Sequence, residues 1–160
     1  MPEPSPFLLS RAFSQLTGRK VSFVQATAGL ESKVRQIYGI YNVLPHEVPV
    51  IVKADLLLLG SIAGALVGLP DPAVKEHLRT NPIEELMRDA ILEVLNIAAS
   101  TVTAEGRAVF TKMVTDPAYI DGAAEKTFKQ PFRRNYFNVT IDGYQGGKFT
   151  ILSDFIPTRL

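Results

Sequence analysis

Arg88-Asp89-Ala90-Ile91-Leu92-Glu93-Val94-Leu95-Asn96-Ile97-Ala98-Ala99-Ser100 is the stretch on which the reading of this chain turns. Asp89, Glu93 and Asn96 stand at i, i+4 and i+7. At 3.6 residues per turn, that spacing lines them up along one side of an α-helix. Glu85 extends the row toward the N-terminus, and Ser100 and Thr103 extend it beyond Asn96. Ile83, Leu86, Met87, Ala90, Ile91, Val94, Leu95 and Ala98 fall on the other side, which predicts a wide buried face. Exposed helix sides commonly interleave lysine with glutamate. This row instead reads carboxylate, carboxylate, amide, hydroxyl, with Arg88 lying off it. The pattern by itself also fits a plain solvated face, the commoner use of a polar helix side.

The rest of the chain bounds what that helix can belong to. Its 160 residues suffice for a single domain, 1–160, with its own core, and 46% hydrophobic with 21% charged residues is ordinary for a globular protein. A formal net charge of +1 makes no electrostatic case for nucleic acid or an anionic membrane as partner. The absence of cysteine excludes disulfides, thiolate metal sites and thiolate nucleophiles, and fits a reducing, cytoplasmic setting. Residues 1–6, Met1-Pro2-Glu3-Pro4-Ser5-Pro6, lack the plan of a signal peptide and read as a loose arm. Leu56 to Leu69 is almost wholly apolar, but its 14 residues fall short of the roughly 20 that span a bilayer, so it reads as a buried helix. Asn138-Val139-Thr140 matches a glycosylation sequon and, without a secretory signal, reads as part of a strand.

Periodicity and turn residues give the order of elements. Phe7 to Leu16 has helical spacing and ends near Gly18. Lys20 to Ala26, Val34 to Leu44 and Val48 to Val52 read as strands, with Pro49 pushing the third toward an edge or a strand start. Gly60, Gly64 and Gly68 recur every four residues in the apolar helix, which predicts another backbone packed close against it. Asp71-Pro72 opens a second helix that runs to about Arg79. Asn81-Pro82-Ile83-Glu84 opens a third that reaches at least Val102 and carries the polar row. Arg107 to Val114 fits a helix or a strand, Asp116-Pro117 breaks it, and Ala118 to Gln130 is mixed. Phe132 to Ile141 and Gly147 to Phe155 read as a hairpin about Asp142-Gly143-Tyr144-Gln145-Gly146-Gly147. Strands at both ends with helices between them predict an α+β fold, an antiparallel or mixed sheet with two or three helices packed on one face.

Familiar catalytic signatures are missing. Gly60-Ser61-Ile62-Ala63-Gly64 places its serine one position early for a nucleophile elbow, and no glycine-rich phosphate loop is present. His46 and His77 are the only histidines and have no partner at metal-ligand spacing, so no metal site is expected. His46 reads as a loop residue and His77 as an exposed helix residue. The run Lys129-Gln130-Pro131-Phe132-Arg133-Arg134-Asn135-Tyr136-Phe137 mixes cations with aromatics in a way that suits base stacking. A strand with one solvated face explains it equally, and the near-neutral charge favours that reading.

The spacing Asp89-x-x-x-Glu93-x-x-Asn96 resembles the signature of the CheC/CheX/FliY family of response-regulator phosphatases. That signature runs Asp or Ser, three residues, Glu, two residues, Asn, then a proline further on; here Pro117 follows with 20 residues between. The order of elements is similar over about residues 20–155. The resemblance implies that a phosphorylated CheY-like receiver docks on the motif helix. Asn96 would orient the water that attacks the receiver's phosphoaspartate, Glu93 would engage the receiver's active-site lysine, and Asp89 and Ser100 would contact the partner. Mg²⁺ would be carried by the receiver, so the chain itself needs no cofactor. A single Glu-x-x-Asn implies a single-site, CheX-like member, and a homodimer is expected from the resemblance alone. Leu95 stands where members commonly have a glycine, which implies hindered approach at Asn96 and points to an alternative, a binding module without phosphatase activity. A third reading is a small-molecule protein that uses the glycine-lined helix.

Overall fold

The computed structural model describes residues 4–27, 34–80, 82–103 and 106–154. Its strands are β1 (Val21–Ala26), β2 (Gln36–Leu44), β3 (Val48–Asp55), β4 (Arg107–Val114), β5 (Arg133–Ile141) and β6 (Gly147–Ser153). They form one antiparallel sheet in the order β1-β5-β6-β3-β2-β4. Five α-helices accompany it: α1 (Pro6–Thr17), α2 (Leu56–Val67), α3 (Asp71–His77), α4 (Glu85–Ile97) and α5 (Gly122–Lys129). The α+β architecture is therefore the expected one, with a fully antiparallel sheet.

Strand alternation divides the apolar residues between two layers. Ile37, Tyr41, Val43, Val50, Val52, Phe137, Val139, Phe149 and Ile151 face α1, α2 and α4 and form the main core with them. Phe23 sits at the centre of an aromatic group there, 5.1 to 5.8 Å from the rings of Phe13, Phe137 and Phe149. The residues of opposite phase, Tyr38, Ile40, Ile51 and Leu152, form a smaller cluster with Ile120 and Ala124 on the other face. So α5 covers part of the second face, which the expectation of helices on one face did not include.

Residues 1–3 of the expected arm lie outside the described residues. Ser5 caps α1 by accepting from the Leu8 amide, and Pro6 is its first residue, where a missing N–H costs nothing. Gly18 ends the helix at φ +69°, a conformation that glycine adopts without a Cβ penalty. The helix also covers the open edge of β1. The Val21 and Phe23 amides donate to the hydroxyls of Ser14 and Ser10, at 2.9 and 2.8 Å, so polar groups that would face solvent are satisfied.

The glycines of α2 have a different role from the one expected. A Cβ on Gly60 would stand 2.4 Å from the Leu78 side chain, and one on Gly64 2.2 Å from Val74. The close neighbours are thus side chains from α3 and its end, not a second backbone. Gly68 is the left-handed cap that terminates the helix, with open space around it. Because Val74 is fully buried, Gly64→Ala should lower stability by about 1 kcal/mol net. An overpacking penalty of roughly 2 kcal/mol would exceed the roughly 1 kcal/mol regained in helix propensity. Chemical denaturation of the two proteins measures that difference, and an increase in stability would refute the packing assignment.

Several boundaries differ from the sequence reading. The cap expected at Asn81 lies outside the described residues, and α4 begins at Glu85 without a side-chain cap. It ends at Ile97 and continues as a single 3₁₀ turn, Ala98–Ser100, short of Val102. Arg107–Val114 is a strand, and the mixed segment contains α5. Gly143, at φ +81°, makes the turn of the expected hairpin between β5 and β6.

Candidate docking face on helix α4

Helix α4 presents its polar row to solvent because its other side is fixed to the core. Met87, Ala90, Ile91, Val94 and Leu95 are buried against the sheet and α2. Leu95 reaches β2 at Gly39, where an added Cβ would stand 3.0 Å from its Cδ2. The Tyr41 hydroxyl donates to the Leu95 carbonyl at 2.6 Å and ties the last turn of α4 to the centre of β2. Burial pushes the Tyr41 pKa far above its ordinary value, so the hydroxyl stays protonated and remains a donor.

Glu85, Asp89, Glu93, Asn96 and Ser100 are all exposed, as the spacing predicted. Among the described residues, no hydrogen bond or ion pair engages the side chains of Asp89, Glu93 or Asn96. Glu85, Asp89 and Glu93 are like charges at four-residue spacing, each neighbouring pair destabilising the helix by about 0.2–0.5 kcal/mol. Among the described residues no cation forms an ion pair with them, so the three carboxylates repel one another along the row. An approaching positive group would remove it.

Leu95 does not obstruct this surface. It is 1% exposed and faces the core, on the side of the helix away from the polar row. The hindrance expected from its bulk at Asn96 is therefore absent. Leu86, expected among the buried residues, is instead 54% exposed, and Ile97 is 42% exposed. The two are eleven residues apart, about three turns, and so flank one side of the polar row. Ile97, Ala98, Ser100 and Thr101 also line a groove of about 360 Å³ against Ala12, Phe13, Gln15 and Leu16 of α1. Neither the apolar flank nor the groove was read from the sequence. The eleven-residue spacing was visible there, but the pairing with α1 joins segments about 85 residues apart and leaves no local signal.

Pro117, the proline that follows the motif, opens a 3₁₀ turn after β4 and lines a separate cavity with Arg35, Leu56 and Ile83. His46 is exposed in the β2–β3 turn, and His77 is partly exposed and paired with Glu84. Among the described residues, no group of three or more His, Asp or Glu side chains could hold a metal, and no helix is long and apolar enough to cross a membrane.

No family model and no curated protein sequence matches the chain. Solved structures do. A chain of the CheX–CheY–BeF3–Mg²⁺ complex from Borrelia burgdorferi superposes with a TM-score of 0.55 at 18% identity, over 92% of this chain and 95% of that one. FliY from Thermotoga maritima gives 0.56 at 14% identity, over 90% and 81%. A chain of the FliG–FliM complex from H. pylori gives 0.57 at 10% identity, over 94% and 89%. The fold is that of the CheC/CheX/FliY proteins. At these identities the likeness is one of backbone, and what the fold does in this chain rests on its own residues. The motif helix of the resemblance is α4, and this fold sets its Glu93–Asn96 row outward.

Proposed function

We propose that the exposed face of α4 docks a phosphorylated CheY-like receiver and promotes hydrolysis of its phosphoaspartate, in chemotaxis or related two-component signalling. The observation that carries this reading is the row Asp89, Glu93, Asn96, unpartnered among the described residues, presented on helix α4 and flanked by Leu86 and Ile97. Exposed carboxylates with no internal cation suit a partner that brings a lysine, and Glu93 is the contact assigned to it. An amide has both a donor and an acceptor, so Asn96 can hold a water in line with the phosphorus. Water forms the new P–O bond as the receiver's carboxylate leaves, and Mg²⁺ belongs to the receiver. Catalysis of this kind is mostly positioning, which an ordered helix supplies. One protein of this fold was solved in a CheX–CheY complex, which supports a receiver as the partner class.

The binding-only alternative was favoured by Leu95, and the burial of that residue removes its motivation. The small-molecule alternative needed open space at Gly60 and Gly64, which Leu78 and Val74 fill.

Binding is tested by titrating the wild-type chain, and separately its Glu93→Arg variant, into a phosphorylated receiver. Reversing a charge that faces a cation should weaken the complex by about tenfold or more, because like charges across an interface cost several kcal/mol. Equal affinities would overturn the assignment of Glu93.

A further inference from the structure

The sheet face opposite α4 gathers a second set of polar side chains that the docking face does not use. Lys53 of β3 lies across from Thr150 of β6, which lies across from Tyr136 of β5, so the three form one cross-strand row. Arg134 stands two residues along β5 from Tyr136, on the same face. With Phe128, Pro131 and Leu152 they line a cavity of about 290 Å³. The Phe128 ring is fixed edge-on to Tyr38, with centroids 5.5 Å apart, and walls one side.

The charges here are unbalanced. Among the described residues, no acidic side chain lines the cavity. Among the described residues, neither Lys53 nor Arg134 has a hydrogen bond or ion pair, whereas Lys75, Arg79, Lys112 and Lys129 each have a carboxylate partner. Lys53 lies on the fourth of six strands and is only partly exposed. A partly desolvated ammonium without a counter-charge is unfavourable, and burial lowers its pKa accordingly. An anion in the cavity would relieve that cost.

We propose that this cavity binds a small oxyanion, a phosphate or carboxylate group, between Lys53 and Arg134. The Arg134 guanidinium offers paired donors suited to such a group, and the Lys53 ammonium is a compact point charge. Tyr136 and Thr150 add hydroxyl donors, and Phe128 and Leu152 form an apolar wall for whatever carries the anion. The volume lies at the small end for ligand sites, which fits inorganic phosphate, diphosphate or a small acid. The basic and aromatic run noticed between Lys129 and Phe137 is thereby divided in two. Arg134 and Tyr136 serve the cavity, while Asn135 and Phe137 are buried toward the main core.

Calorimetric or NMR titration of inorganic phosphate, diphosphate and citrate into the full chain tests this. Wild type should saturate. Lys53→Met and Arg134→Gln should each weaken binding by about tenfold or more, the usual effect of losing a hydrogen bond to a charged group. Glu93→Arg, on the other face, should leave it unchanged, so the site stands or falls separately from receiver docking. Phosphate and diphosphate ahead of citrate would identify a phosphoryl ligand and the reverse a carboxylate, each supporting the site. No saturation by any of the three, or equal binding by wild type and both cavity variants, would overturn it. Arg134 is exposed, so its substitution keeps the test valid should Lys53→Met fold poorly.

Discussion

A phosphorylated receiver mixed with the Asn96→Ala chain should lose its phosphate about a hundredfold or more slowly than with the wild-type chain, the usual penalty for removing one positioned polar group from a reaction of this kind. The two proteins should be nearly equal in stability. Asn96 is exposed, its side chain bonds to nothing among the described residues, and surface substitutions of that sort usually stay within about 0.5 kcal/mol. Receiver affinity should also change little, because on the proposed docking face Asn96 would be one contact among several. The loss would therefore fall on the rate at saturating receiver and not on the concentration that gives half-saturation, the pattern of an interaction made only in the transition state. Following phosphate release under single-turnover conditions separates the two. Equal rates for wild type and Asn96→Ala would remove the catalytic role and leave only a docking face.

The polar row was legible because helical spacing is a local property and α4 keeps it over three turns. Leu86 shows the limit of that reading. Its spacing places it on the buried side, but the neighbours that bury α4 come from α2, β4 and the middle of β2, and they leave Leu86 uncovered. β4 was ambiguous for a different reason. Its pairing with β2 jumps between Ile40 and Tyr41, leaving Thr111 out of the ladder with its hydroxyl donating to the Ile40 carbonyl at 2.7 Å. The bulge breaks the two-residue alternation. As a result Phe110 and Met113, three apart, both pack on the main core, and a three-residue interval mimics a helix. The α2 glycines show in the sequence where side chains are missing but not what fills the space, which in the fold is Leu78 and Val74. The groove against α1 and the cavity around Lys53 both arise from segments distant in the chain, so no spacing rule reaches them.

Leu95→Gly, the substitution that introduces the glycine the resemblance implies before Asn96, should unfold the chain more readily and not improve docking. Leu95 is 1% exposed and its Cδ2 occupies the space left by Gly39 on β2. Removing a buried leucine side chain costs about 2–5 kcal/mol, and glycine in a helix interior adds about 1 kcal/mol relative to alanine. The expected loss of about 3–6 kcal/mol is a large part of the 5–15 kcal/mol by which a domain is ordinarily stable. Gly39 makes the loss harder to repair, since neither facing position would then carry a side chain. The Tyr41 hydroxyl would still meet the backbone carbonyl at position 95, but across a void that loosens the last turn of α4. Since Asn96 lies in that turn, activity should fall with stability. A Gly39→Ala, Leu95→Gly double substitution should recover part of both by returning volume to the gap, a coupling that thermal denaturation detects as non-additivity. Leu95→Gly with unchanged stability and faster receiver turnover would show that the leucine obstructs the docking face after all.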